Sequence, residues 1–111
     1  MSTSFVVAAK INPLKFSDTA AEGDATTYEI DFRPWQADNS TITSVTWEVK
    51  FGEAGISNQT LTSGVASALI SFSKAGLCLI AITAITASEK KKVFIEVETR
   101  DITYNPDGYD V

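Results

Sequence analysis

Few residues in this chain can do chemistry, and their types set firm limits. The 111 residues include no histidine and a single cysteine, Cys78. Without an imidazole there is no Ser-His-Asp triad, no Cys-His pair and no histidine metal site. One cysteine forms neither an internal disulfide nor a thiolate zinc cluster. Set between Leu77 and Leu79, it reads as a small apolar core residue. Carboxylates remain. Glu29 and Asp31 alternate along one extended segment, and Glu96 and Glu98 along another. Paired carboxylates serve glycoside hydrolysis or bind calcium. That work needs a pocket, which a sandwich of ~110 residues seldom offers, so both pairs read as solvated sheet faces. Asn105-Pro106-Asp107-Gly108 lacks the acids before its glycine and the glutamate after it that an EF-hand loop requires, and reads as a turn. No Gly-rich phosphate loop and no aromatic–basic RNA-binding signature is present. The expectation is no catalytic residue, no metal and no cofactor.

Charge and targeting narrow the partners. Nine basic against 14 acidic residues leave a net charge of −5, the wrong sign for binding by phosphate neutralisation, so nucleic acid is not an expected partner. Lys90-Lys91-Lys92 is the one basic run and reads as a solubilising hairpin tip or edge protection. The N-terminal stretch from Met1 lacks a basic n-region, and its apolar run is short for a signal peptide. The longest apolar stretch, Leu77 to Ala87, is interrupted by Thr83 and Thr86 and falls well short of the ~20 residues that span a bilayer. Synthesis in the cytoplasm and no membrane association are expected. Asn39-Ser40-Thr41 and Asn58-Gln59-Thr60 match the glycosylation pattern, which has no reader without secretion.

The elements that position these residues are strands. Tyr28, Ile30 and Phe32 alternate with polar neighbours up to Pro34. Val45, Trp47, Val49 and Phe51 alternate with Ser44, Thr46, Glu48 and Lys50, followed by the glycine-bearing turn Gly52 to Gly55. Further extended segments run over Ile56 to Thr62, Val65 to Ser71, Leu77 to Thr86 and Val93 to Val97, with Ser63-Gly64 as a hairpin turn. With a first strand in Phe5 to Ile11, this makes about seven short strands, evenly spaced, and no helix. Asn12 to Ala25 reads as a connection. The fold expected is all-β, an immunoglobulin-like two-sheet antiparallel sandwich over residues 1–101, with a C-terminal tail over 102–111. Trp47, Ile30, Phe32, Val49, Ile80, Ile82 and Ile95 are assigned to its core.

Contact residues come from what the sandwich leaves over. Both faces of Leu77 to Thr86 are apolar, whereas a sandwich strand has one polar face. The second face, made by Leu77, Leu79, Ala81 and Ile85, must be covered by the 12–25 connection, by the tail or by another chain; a protein partner over part of it is the expectation. Trp35, after Pro34 at a strand end, is either an end plug of the core or a contact aromatic. Tyr104 and Tyr109 lie in a polar, turn-rich tail that is either a frayed end or an arm anchored on a neighbour.

From Tyr28 to Asp101 the chain resembles the small fibre–tail adaptor proteins of tailed bacteriophages. The resemblance is carried by Tyr28-Glu29-Ile30-Asp31-Phe32, by Asp38 with Thr41-Ile42, by Val45-Thr46-Trp47-Glu48-Val49 and Gly55-Ile56, by Ala75-Gly76 leading to Ile82-Thr83-Ala84-Ile85-Thr86, and by Val93 to Val97 closed by Thr99-Arg100-Asp101. Departures from the pattern are the longer N-terminal region, the stretch Lys74 to Cys78 and the tyrosine-bearing tail. The resemblance implies a structural part of the virion, in several symmetric copies, linking tail or connector to fibres, with Trp35, Leu79, Tyr104 and Tyr109 as candidate contacts. The alternatives are a free-standing ligand- or carbohydrate-binding module, and a capsid or tail decoration protein.

Overall fold

The computed structural model describes residues 2–7, 14–36, 41–87 and 89–101, and among these it has eight strands and one helical turn. They are β1 (Ser2–Val6), β2 (Leu14–Ala21), β3 (Ala25–Asp31), α1 (Arg33–Gln36), β4 (Ser44–Phe51), β5 (Ala54–Thr62), β6 (Val65–Phe72), β7 (Gly76–Ile85) and β8 (Lys90–Arg100). One sheet has the order β1-β3-β6-β5, the other β2-β8-β7-β4. This is the expected two-sheet immunoglobulin-like sandwich. Two edge pairs, β1 on β3 and β2 on β8, run parallel; the other neighbours are antiparallel.

Alternation decides the core. Tyr28 and Ile30 of β3, Ala66, Ala68, Ile70 and Phe72 of β6, Cys78, Ile80, Ile82 and Ala84 of β7, and Val93, Ile95 and Val97 of β8 all point between the sheets and are buried. Trp47, Phe32, Ile30, Ile80, Ile82 and Ile95 are core as expected, while Val49 is only half-buried. An aromatic row joins the sheets: Phe16 of β2 stacks on Phe5 of β1 at 4.5 Å, Phe5 on Tyr28 at 6.2 Å, and Tyr28 meets Phe72 edge-on at 6.4 Å. Beside it, the Tyr28 hydroxyl donates to Asp18 Oδ2 at 2.8 Å, tying β3 to β2 across the sandwich.

Three expectations need correction. The described residues hold eight strands rather than about seven, because Leu14–Ala21 is a strand rather than part of a connection. Its inward row is Leu14, Phe16, Asp18 and Ala20, opposite Val93, Ile95, Val97 and Thr99; the carboxylate in that row breaks the apolar alternation that marks a strand. The second correction is α1. Pro34 suits a first helical turn, where no intrahelical N–H is needed. Asp31 Oδ1 accepts from the Arg33 backbone N at 3.0 Å and from Nε at 2.9 Å, and Oδ2 accepts from Nη2 at 2.8 Å, which holds the turn. The third is the lysine run. Alternation along β8 turns Lys91 inward, leaving 1% of it exposed, so the outer face carries Lys90 and Lys92. Burial lowers the Lys91 pKa.

Candidate interaction surface

The surface of interest is the outer face of the β2-β8-β7-β4 sheet. Its rows follow from register. Leu79 of β7 lies between Glu96 of β8 and Phe51 of β4; Ala81 lies between Phe94 and Glu48; Leu77 stands beside Glu98. Leu77 and Phe51 are exposed, at 45% and 61%. Leu79 and Phe94 are half-buried, and Ala81 is covered. So both sides of β7 are apolar, as the sequence indicated, and the outer one is partly open.

Phe51 arrives on this face through a β-bulge. Strict alternation from Trp47 and Val49 sends Phe51 into the core. Between Val49 and Phe51 the register slips: Val49 pairs with Ile80, yet Phe51 pairs with Leu79. The extra residue re-aims the side chain outward. Gly52 makes the geometry attainable. Its φ is +84°, and a Cβ there would sit 2.9 Å from both Cys78 Cα and Cys78 Sγ and closer still to the Leu77 carbonyl oxygen. Only glycine lets the chain cross β7 so tightly. The Cys78 thiol donates to the Glu53 carbonyl at 3.4 Å and is buried, in keeping with its core reading.

Two shallow depressions flank Leu77. One of about 320 Å³ is lined by Ser17, Asp18, Thr19, Leu77, Glu96 and Glu98. The other, about 350 Å³, lies among Phe51, Gly52, Glu53, Lys74 and Gly76 to Cys78. The carboxylates of the face have in-chain partners. Lys15 Nζ is 3.5 Å from Glu96, Arg100 Nε is 3.6 Å from Glu98, and Lys50 Nζ is 2.6 Å from Glu48. The hydrogen bond from Lys50 holds the Glu48 pKa below its ordinary value. On the other sheet Glu29 accepts from Ser4 Oγ at 3.1 Å, and Arg33, chiefly through its side-chain hydrogen bonds, lowers the Asp31 pKa. Among the described residues no group of three His, Cys, Asp or Glu is arranged to hold a metal ion.

The sequence candidates separate. Leu79 lies on the face, half-buried between Phe51 and Glu96. Trp35 is not a contact residue: it is 6% exposed, packs edge-on to Phe32 at 6.3 Å, and its backbone N donates to the Val7 carbonyl at 3.1 Å. The α1 turn folds it back over the core end, so the end-plug reading holds. Tyr104 and Tyr109 lie outside the described residues. Phe51 is the exposed aromatic that alternation alone sends inward, and the glycine directly after it is the available signal of a break; Leu77 stands exposed on the outer row of β7 with Leu79, where alternation puts it.

No family profile and no characterised protein sequence matches the chain. Solved structures do. A chimeric titin Z1Z2 structure is similar at TM-score 0.55 and 17% identity, over 81% of this chain and 90% of that one. A 2,6-sialyltransferase from a Photobacterium species is similar at TM-score 0.53 and 13% identity over 83% of this chain, which spans only 18% of the sialyltransferase. A cysteine protease inhibitor from Entamoeba histolytica is similar at TM-score 0.50 and 12% identity, over 83% of this chain and 99% of the inhibitor. At such identities the likeness is one of fold, and this fold hosts unrelated functions.

Proposed function

We propose that the chain is a non-catalytic docking module, a structural adaptor of a tailed-phage virion present in several symmetric copies between tail or connector and fibre. The observation that carries the docking role is the outward turn of Phe51 beside exposed Leu77 on a sheet that keeps its other face for the core. An aromatic and a leucine exposed side by side, rimmed by charges, have the make-up of a contact surface. The phage assignment is supported by the sequence resemblance from Tyr28 to Asp101. Burial of Trp35 takes away the aromatic that favoured a carbohydrate-binding module.

The test is co-assembly. Light scattering of the purified chain, alone and with the tail, connector and fibre proteins encoded beside it, is expected to show the chain entering a large complex. A variant with Phe51→Ser and Leu77→Ser, folded by circular dichroism, is expected to stay out. If the wild-type chain ignores every virion component, or the double variant assembles equally well, the reading fails.

A further inference from the structure

We propose that the β2-β8-β7-β4 face pairs with the same face of a second copy, the two β8 strands lying antiparallel across a two-fold axis near Phe94. The observation is the order of charge along the outer row of β8. Lys90 and Lys92 precede Phe94, and Glu96 and Glu98 follow it, all on one side because side chains on a strand alternate. Steps of two residues are about 6.7 Å. A two-fold turn about Phe94 therefore lays Lys92 over Glu96 of the partner and Lys90 over Glu98 of the partner, and the reverse by symmetry. From Lys90 to Glu98 the row is its own electrostatic complement, as an isologous interface requires, and Arg100, the next outward residue, stays on its own Glu98 at 3.6 Å.

The neighbouring rows agree. Ala81, beside Phe94 on β7, is small and covered, so nothing on β7 at the axis stands above the sheet to keep the two rings apart. Along β7 the same turn sets Leu77 over Ile85 of the partner and Leu79 over Thr83 of the partner, covering part of the open apolar surface. Lys15 and Glu48 fall near their own copies at the axis row. Each carries an in-chain counter-charge, Glu96 at 3.5 Å and Lys50 at 2.6 Å, so neither meets its copy bare. In the single copy Lys92 Nζ lies 5.7 Å from the centroid of its own Phe94 ring, and it swings away from that ring to reach Glu96 of the partner. A four-stranded face roughly 19 Å wide and 27 Å long buries on the order of 1,000 Å² in total, the lower limit for a specific interface. The dimer is accordingly weak, with dissociation in the micromolar range or above and a strong dependence on salt.

This inference rests on the reading that this face is the contact surface. Sedimentation equilibrium of the full chain from about 10 µM to about 1 mM tests it. The expected result is a monomer–dimer equilibrium that weakens several-fold between about 0.05 and about 0.5 M salt. Lys90→Glu with Lys92→Glu is expected to weaken it at least ~10-fold, and Glu96→Lys with Glu98→Lys likewise. An equimolar mixture of the two charge-reversed variants restores all four pairings and is expected to yield a heterodimer. A wild-type chain that is monomeric to about 1 mM, a dimer indifferent to salt, a trimer or ring, or folded variants that fail to pair when mixed each overturns the proposal. The salt series on the wild-type chain decides the matter should a variant fail to fold. The arms also separate from co-assembly: a monomer that still joins the virion proteins through Phe51 and Leu77 sinks the self-pairing alone, and a dimer that ignores them sinks the adaptor alone.

Discussion

Tyr28→Phe offers a measurement whose sign reverses with pH. The Tyr28 ring is sealed in the core, and its hydroxyl donates to Asp18 across the sandwich at 2.8 Å. Removing the hydroxyl forfeits a hydrogen bond to a carboxylate, which at a half-exposed acceptor is worth about 1 to 2 kcal/mol at pH 7. For a domain of this size that lowers Tm by roughly 5–10 °C. Burial, then the hydrogen bond and charge of Asp18, raise the Tyr28 pKa far above its ordinary value. A raised folded-state pKa contributes stability that is fully present below the unfolded value and is lost as pH climbs towards the folded one. Above pH ~10 the unfolded chain ionises this phenol while the folded chain cannot, a loss of about 1.4 kcal/mol per pH unit. The variant has no phenol there and escapes that loss. Its deficit should shrink above pH ~10 and vanish near pH ~11, beyond which the variant is the more stable of the two. Urea unfolding of both proteins at several pH values between about 7 and about 11.5 reads the crossing directly. Parallel pH curves, with the wild type ahead by a constant margin throughout, would refute the claim that the fold keeps Tyr28 neutral.

Other perturbations probe the rest of the structure. Trp35→Ala should cost about 3–5 kcal/mol, since a buried indole is lost; a thermal melt shifted by less than a degree or two would return Trp35 to the surface. Gly52→Ala combines a positive φ with contacts against the backbone of a central strand, and should cost on the order of 2–4 kcal/mol while disturbing Phe51. Chemical denaturation measures the cost, and a neutral outcome would mean that the crossing at Cys78 is looser than described. Thr99→Val should be neutral or stabilising by up to about 1 kcal/mol, because the buried Thr99 hydroxyl finds no hydrogen-bond partner among the described residues; a clear fall in Tm would reveal one.

Much of the sandwich was legible in the chain because burial on one face writes a period of two. Where that period is clean, as in Tyr28 to Phe32 or Val93 to Val97, strand and inward face were both read correctly. It fails where an inward position is polar for a tertiary reason. Asp18 sits in the inward row of β2 because a tyrosine from the other sheet reaches it, and Lys91 sits in the inward row of β8. Neither inward placement is visible from local pattern, so β2 reads as a loop and the lysine run as a solvated tip. Phe51 shows the opposite error. Its spacing from Trp47 is that of a core residue, and a single inserted residue in the pairing reverses it.

By itself, the sequence determined the class of the fold, the inward rows of β3, β7 and β8 and the chemistry that is out of reach. A chain without histidine and with one cysteine has no Ser-His-Asp triad, no thiolate cluster of its own and no internal disulfide in any conformation. These follow from composition and from periodicity, which are properties of the chain taken a few residues at a time. Only the tertiary structure decided which aromatics face outward. Trp35 is drawn in by one turn of helix that Asp31 and Arg33 hold, and Phe51 is turned out by a bulge that the Gly52 crossing of β7 permits. Both outcomes depend on where a strand distant in sequence comes to lie. The charge order of β8 was likewise present in the sequence as Lys-Lys-Lys-Val-Phe-Ile-Glu-Val-Glu. Its meaning as a self-complementary row appears only once alternate residues are assigned to one face of a sheet.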